Sequence, residues 1–166
     1  MAVAASGIAT PALALPSLGL PRHLGFHNLH TDEKLNVTYW REGRYDPAAL
    51  QAIHHILRDH YSGDQHPIDI RLIDLVHDMQ AELQTDRRVE IISGYRSPHT
   101  NLHLASLSSG VASKSYHMKG MAIDLRIDGV ALSKIHTTAL AMRRGGVGYY
   151  PDSQFVHVDV GPRRFW

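Results

Sequence analysis

Two short stretches in the second half of the chain carry the residue types of a metal site. Ser115–Leu125 contains His117 and Asp124, and Phe155–Val160 contains His157. Two imidazoles and a carboxylate suit a catalytic zinc ion, because three protein ligands leave the fourth tetrahedral position to a water molecule that the metal makes acidic near neutral pH. The residue types and their order therefore predict a zinc-dependent hydrolase.

Strand alternation predicts that these side chains share one surface. Successive side chains of a strand point to opposite faces. In the predicted strand Gln154–Val160 the valines face the core, whereas His157 and Asp159 face the other way. The same alternation turns Asp124 away from the core in the predicted strand Met121–Ile127. If the two strands are neighbours in one sheet, their polar side chains lie together.

The spacing also allows a plainer interpretation. A histidine on a polar strand face is most often solvated, and an aspartate two residues away is most often its ion-pair partner. His117 comes from the loop that enters the strand carrying Asp124. From the residues alone, both a metal site and an ordinary polar surface therefore remain open.

The remaining patterns predict a single α+β domain in which a small antiparallel sheet carries the metal site and packs against three to four helices. Strands are predicted at 24–29, 35–40, 89–93, 121–127, 148–150 and 154–160, and helices at 47–60, 70–83, 98–107 and 131–144. Asp46-Pro47 is a typical helix start, since the carboxylate accepts from free amides and proline suits the first helical position. Gly145-Gly146 is expected to end the last helix.

Composition narrows the function further. The chain has 166 residues, of which 43% are hydrophobic, which suits one domain with a sizeable core. The net charge is +1 and the basic residues are scattered, so we expect no nucleic-acid partner. The sequence contains no cysteine, which excludes disulfides and thiolate metal sites.

Residues 1–17 read MAVAASGIATPALALPS and are small and apolar. They resemble the hydrophobic stretch of an export signal, with an Ala-x-Ala at Ala12–Ala14, although the basic leading segment is missing. We interpret residues 1–20 as the remnant of an export signal or an apolar tail, and residues 21–166 as the domain. No later segment approaches the ~20 apolar residues of a membrane span, so we expect a soluble mature protein.

Longer motifs resemble a known family. The pattern Ser115-x-His117-x-x-Gly120-x-Ala122-x-Asp124, followed by a strand with His157, resembles zinc peptidases related to D-Ala-D-Ala carboxypeptidases and Hedgehog domains. The motifs NLHT at 28–31, VTYW at 37–40, SGYRSP at 93–98 and GGVGYY at 145–150 are similar to the bacterial murein endopeptidase K subgroup. The resemblance extends from about residue 24 to residue 166.

This resemblance implies an exported enzyme, periplasmic or associated with the cell wall, that hydrolyses peptide bonds in peptidoglycan cross-links. It implies Zn²⁺ held by His117, Asp124 and His157. Both the D-Ala–diaminopimelate and the diaminopimelate–diaminopimelate links remain candidates. We expect a monomer whose partner is a peptidoglycan peptide. The alternatives are a non-catalytic zinc-containing domain that binds the wall or a protein partner, and a D,D- or L,D-carboxypeptidase.

Two further residues are candidates for the chemistry. Arg96 follows a strand in a tight turn, and its planar guanidinium suits a substrate carboxylate or a tetrahedral oxyanion, although a structural ion pair is the plainer interpretation. Several relatives carry an acid three residues before the last zinc histidine, where this chain has Gln154. We therefore expect Asp159, roughly 7 Å from His157 along the strand, to be the general base. A carboxylate that orients the histidine is the alternative.

Overall fold

The computed structural model of the chain describes residues 19–107 and 112–166. Its strands are β1 (Arg22–Asn28), β2 (Lys34–Arg41), β3 (Arg44–Tyr45), β4 (Val89–Ser93), β5 (Ala122–Ile127), β6 (Gly146–Tyr150), β7 (Phe155–Asp159) and β8 (Arg164–Phe165). Its helices are α1 (Pro47–Ile56), α2 (Ile70–Glu82), α3 (Pro98–Leu107) and α4 (Leu132–Met142), and a short 3₁₀ helix covers Tyr116–Lys119. The predicted α+β class is confirmed.

The sheet is wider than predicted and it is mixed. Its order is β3-β2-β1-β4-β5-β7-β6-β8, with parallel pairing between β1 and β4 and between β6 and β8. The first parallel pair arises because α1 and α2 carry the chain from the β1–β2 hairpin back to the start of β4. The second arises because the chain turns after β7 and adds the two-residue strand β8 to the free edge of β6.

Helix α1 begins at its predicted capping residue. Asp46 accepts hydrogen bonds from the amides of Ala48 and Ala49, and Pro47 occupies the first helical position of α1. The helix ends at Ile56, about one turn earlier than predicted. Helix α4 ends at Arg143, which adopts a left-handed conformation with φ 57°, so the chain reverses before the two glycines that were expected to stop it.

The core lies between the sheet and three helices. Helix α1 packs on β2, α2 on β1, and α4 on β5, β6 and β7. Ile123 and Leu125 of β5 and Val156 and Val158 of β7 are buried there, which is the face that alternation predicts for them. The opposite face of β5 and β7 is therefore available for polar side chains.

In the described residues, no helix is both long enough and apolar enough to cross a bilayer. The predicted signal or tail at 1–20 lies almost wholly outside the described residues, which begin at residue 19. The division of the chain at residue 20 therefore stays a prediction.

Candidate metal centre

The pairing of β5 with β7 brings two of the predicted ligands side by side. The strands are antiparallel, and their register sets Asp124 opposite His157 and Ala122 opposite Asp159. Directly opposed residues of neighbouring antiparallel strands project to the same face with Cβ atoms roughly 4.5–5.5 Å apart. The register thus places a carboxylate and an imidazole within reach of one point.

The 3₁₀ helix supplies the third ligand. Ser115 caps it by accepting a hydrogen bond from the amide of His117. The helix ends at Gly120, whose φ of 63° favours glycine and where a Cβ atom would collide with the carbonyl of Pro67. The chain then enters β5 directly, so His117 is held beside Asp124.

Three ligand atoms from these side chains form a small triangle. The distances are 2.8 Å between His157 Nδ1 and Asp124 Oδ1, 3.2 Å between the same nitrogen and His117 Nε2, and 3.3 Å between His117 Nε2 and Asp124 Oδ1. Ligands roughly 2.0–2.1 Å from a tetrahedral zinc ion are separated by about 3.3 Å. The arrangement and the N/O donor set therefore fit such an ion.

Each imidazole is oriented by an acceptor at its other nitrogen. His117 Nδ1 lies 2.7 Å from the carbonyl oxygen of Gly94, and His157 Nε2 lies 3.0 Å from Asp159 Oδ2. A carbonyl or carboxylate oxygen requires a donor, which places a proton on those nitrogens. His117 then offers the lone pair of Nε2 to the centre, and His157 offers that of Nδ1.

Burial and charge act in opposite directions in this group. Burial lowers the pKa of His117, whereas for His157 the hydrogen bonds to Asp124 and Asp159 outweigh burial and raise the pKa. Burial alone would raise the pKa of Asp124, but the two imidazoles lower it below its ordinary value. Asp124 is therefore ionised, and its negative charge is available to a cation.

Arg96 lies against the carboxylate side of the group. Its Nε donates to Ser93 Oγ at 2.7 Å, and its Nη2 donates to Asp124 Oδ2. The side chain is 15% exposed and lines the cleft above the ligands. The ion pair that sequence reasoning offered as the plain alternative is thus present, and Arg96 also lines the cleft.

Asp159 lies behind His157, on the side away from the triangle. It is fully buried and accepts hydrogen bonds from the amides of Gly146 and Gly161 at 3.1 and 2.8 Å. Arg164 Nη2 adds a further contact at 2.5 Å. Burial alone would raise the pKa of Asp159, but His157, Arg164 and the two amides lower it. This environment suits a carboxylate that orients His157.

Gln154 stands three residues before His157, where the resemblance led us to look for an acid. It is exposed, and its side-chain amide donates to the carbonyl oxygen of Pro151. Gln154 does not line the cleft, and among the described lining residues Asp124 is the only carboxylate. Proton transfer by an acid at position 154 is therefore absent from this chain.

A cleft of about 460 Å³ opens above the three ligands. Its described walls combine four aromatic side chains with three cations: Tyr116, Tyr150, Phe155 and Trp166, and Arg96, Lys114 and Arg164. Sequence reasoning missed Arg164 and Trp166, because neither belongs to a periodic pattern or a recognisable motif. The Gly161-Pro162 turn after His157 was the one local signal that the chain folds back there.

The chain is similar to known proteins over nearly its whole length. The family described as "Peptidoglycan L,D-endopeptidase MepK" matches residues 17–166. The protein of that name from Escherichia coli strain K12 is 45% identical over 166 residues, covering 100% of this chain and 91% of that protein. The "Probable peptidoglycan L,D-endopeptidase MepK" of Haemophilus influenzae is 40% identical over 167 residues, covering 100% of this chain and 90% of that protein. The resemblance found in the sequence motifs is confirmed, and the chain belongs to the peptidoglycan L,D-endopeptidase MepK family.

Proposed function

We propose that this chain is a zinc-dependent peptidoglycan L,D-endopeptidase that acts outside the cytoplasm. The observation that carries the proposal is the triangle of ligand atoms from His117, Asp124 and His157 at the floor of an open cleft. Full-length similarity to proteins named for this activity supports it. The relatives' name supports the substrate class, and the geometry of the candidate ligands supports metal-dependent hydrolysis.

The donor set supports zinc as the metal. Two imidazoles and one carboxylate are ligands that zinc accepts, and three protein ligands leave a coordination position open. When bound, zinc supplies Lewis acidity for amide hydrolysis. The protein contributes the orientation of both imidazoles, through the carbonyl of Gly94 and the carboxylate of Asp159.

The L,D description distinguishes the two cross-links that the sequence left open. In a diaminopimelate–diaminopimelate link, the carbonyl comes from an L-centre and the nitrogen from a D-centre. In a D-Ala–diaminopimelate link, the carbonyl comes from a D-residue. The name of the relatives therefore favours the diaminopimelate–diaminopimelate bond as the substrate of this chain.

Arg96 is our candidate for stabilising the charge that develops during hydrolysis. Its contacts with Ser93 and Asp124 fix the guanidinium at the edge of the ligand triangle. Arg96 also lines the cleft, where N–H groups not used in these contacts would donate to the carbonyl oxygen of the scissile bond as it becomes negative. A fixed donor of this kind favours the transition state over the bound substrate.

For Asp159 we favour the orienting role over the general-base role. Its oxygens already accept from two amides, Arg164 and His157, and the residue has no exposed surface. An Asp159→Ala variant is expected to bind zinc about 10- to 100-fold more weakly, the usual cost of losing such a partner. Loss of cleavage with full zinc affinity would instead assign Asp159 to proton transfer.

Digestion of purified muropeptide dimers tests the proposed function. The metal-loaded protein should convert dimers joined by diaminopimelate–diaminopimelate links to monomers, a chelator should stop the reaction, and added zinc should restore it. A His157→Ala variant should contain no zinc and release no monomer. Binding of dimers without cleavage by zinc-loaded protein would favour the wall-binding alternative, for which Gln154 is the supporting residue. Release of a terminal D-residue from monomers would favour a carboxypeptidase.

A further inference from the structure

The short strand β8 brings an arginine to the back of the metal centre. Arg164 forms a two-point contact with Asp159, with Nη2 2.5 Å from Oδ2 and Nη1 3.1 Å from Oδ1. Asp159 Oδ2 is also the atom that faces His157 Nε2. A chain of contacts therefore runs from Arg164 through a buried carboxylate to a ligand of the proposed metal.

Aromatic rings hold the same guanidinium. Arg164 lies over the ring of Tyr116 at 4.9 Å and over that of Trp166 at 5.2 Å. Tyr116 precedes the ligand His117, and the ring of Trp166 lies 5.3 Å from that of His157. Stacking of a guanidinium on aromatic faces restricts its position in addition to the ion pair.

Gly146 leaves room for the Arg164–Asp159 ion pair because it has no side chain. Gly146 donates its amide to Asp159 Oδ1 at 3.1 Å. A Cβ atom at Gly146 would collide with the Asp159 carboxylate and would come within 2.7 Å of Arg164 Nη1. The packing at Gly146 is thus compatible with the Arg164–Asp159 contact only while the residue has no side chain.

We propose that Arg164 is a positioning residue of the metal centre. It fixes Asp159 so that the carboxylate holds the Nε2–H tautomer of His157 and directs the Nδ1 lone pair to the metal. The inference rests on the proposed metal site. A fully buried carboxylate needs a compensating charge and donors, and Arg164 supplies both with a fork geometry that lysine lacks.

Zinc affinity and the protection of the His157 Nε2–H proton together test this role. Arg164→Met and Arg164→Lys are compared with Arg163→Met, a control at the exposed neighbouring residue. Both Arg164 variants should bind zinc about 10- to 100-fold more weakly in chelator competition. In the zinc-loaded protein, the Nε2–H proton of His157 should exchange with water faster in both variants than in the wild type. Arg163→Met should match the wild type in both measurements.

A second variant covers the case in which Arg164→Met does not fold. Gly146→Ala removes no functional group but displaces the Arg164–Asp159 pair, so it should lower zinc affinity and speed the exchange of the His157 Nε2–H proton. Folded Arg164 and Gly146 variants with wild-type zinc affinity and wild-type exchange of the His157 Nε2–H proton would overturn the proposal. These measurements do not depend on hydrolysis, so a protein that binds zinc but cleaves no muropeptide would refute the proposed function alone.

Discussion

The two histidines of the proposed metal centre present different ring nitrogens, and their neighbours explain the difference. His117 donates a hydrogen bond from Nδ1 to the carbonyl oxygen of Gly94, so Nε2 of His117 faces the centre. His157 donates a hydrogen bond from Nε2 to the carboxylate of Asp159, so Nδ1 of His157 faces the centre. Which ring nitrogen each histidine offers to a metal therefore depends on these two hydrogen bonds, both outside the ligand triangle.

At the residue scale, Arg96→Met should reduce turnover sharply while zinc remains bound. Removing one donor to a developing oxyanion typically costs about 10²–10³-fold in kcat. The variant is measured for kcat, KM and zinc content on diaminopimelate-linked dimers. Arg126→Met is the matched control, since Arg126 pairs with Glu90 and does not line the cleft. Unchanged kcat in a folded, zinc-loaded Arg96 variant would remove Arg96 from the mechanism.

At the scale of elements, the turn that carries Arg96 is tied to the segment after α1. Asp59 accepts from the amide of Ser97 at 2.8 Å and from that of Tyr61 at 2.9 Å. Burial alone would raise the pKa of Asp59, but these hydrogen bonds and one from Thr100 lower it to about 2. The carboxylate thus connects two segments that are far apart in the sequence.

The lowered pKa of Asp59 predicts part of the acid sensitivity of the fold. Because the folded pKa of about 2 lies below the ordinary value of 3.8, ionised Asp59 stabilises the native state above about pH 4. This contribution, about 2 kcal/mol, is lost as the pH falls from 4 towards 2. Urea unfolding of wild type and Asp59→Asn at several pH values measures it. The variant should be less stable at pH 7, and the difference should shrink with acid. A pH-independent difference would contradict the assignment.

Local sequence signals predicted the elements better than their arrangement. Asp46 marks the start of α1 as predicted, because capping is a side-chain interaction within a few residues. Strand alternation likewise predicted the shared face of Asp124 and His157. The parallel pairing of β1 with β4 joins segments about sixty residues apart, and no local pattern encodes it. Strand β8 has two residues, too few for a periodicity to reveal.

At the scale of the whole molecule, the cleft has a positive and aromatic character. Arg96 and Arg164 are each paired with a buried acid. Lys114 also lines the cleft and is exposed, and in the described part of the chain no acidic side chain pairs with it. The proposed substrate, a diaminopimelate–diaminopimelate link, carries a free carboxylate beside the scissile nitrogen. Because Arg96 and Arg164 already pair with acids, Lys114 is our candidate for contacting that carboxylate.

Replacement of this lysine should change substrate preference. Lys114→Met is expected to lower kcat/KM about 10-fold on dimers with a free carboxylate beside the scissile bond, as for loss of one charged hydrogen bond. On the corresponding carboxamide dimers the variant and the wild type should differ little. Lys134→Met, on α4 outside the cleft, serves as the control. Equal losses on both substrates would show that Lys114 does not recognise the carboxylate.

The ligand triangle joins the 3₁₀ helix, β5 and β7, so binding of the proposed zinc ion would stabilise the fold. At a free zinc concentration of 100 Kd, binding stabilises the native state by about 2.7 kcal/mol. Calorimetric melting with zinc and with a chelator should differ accordingly, and His157→Ala should abolish the difference. Cells short of zinc would then lose the protein as well as its activity, since the metal-free chain opens more often and proteases degrade it faster.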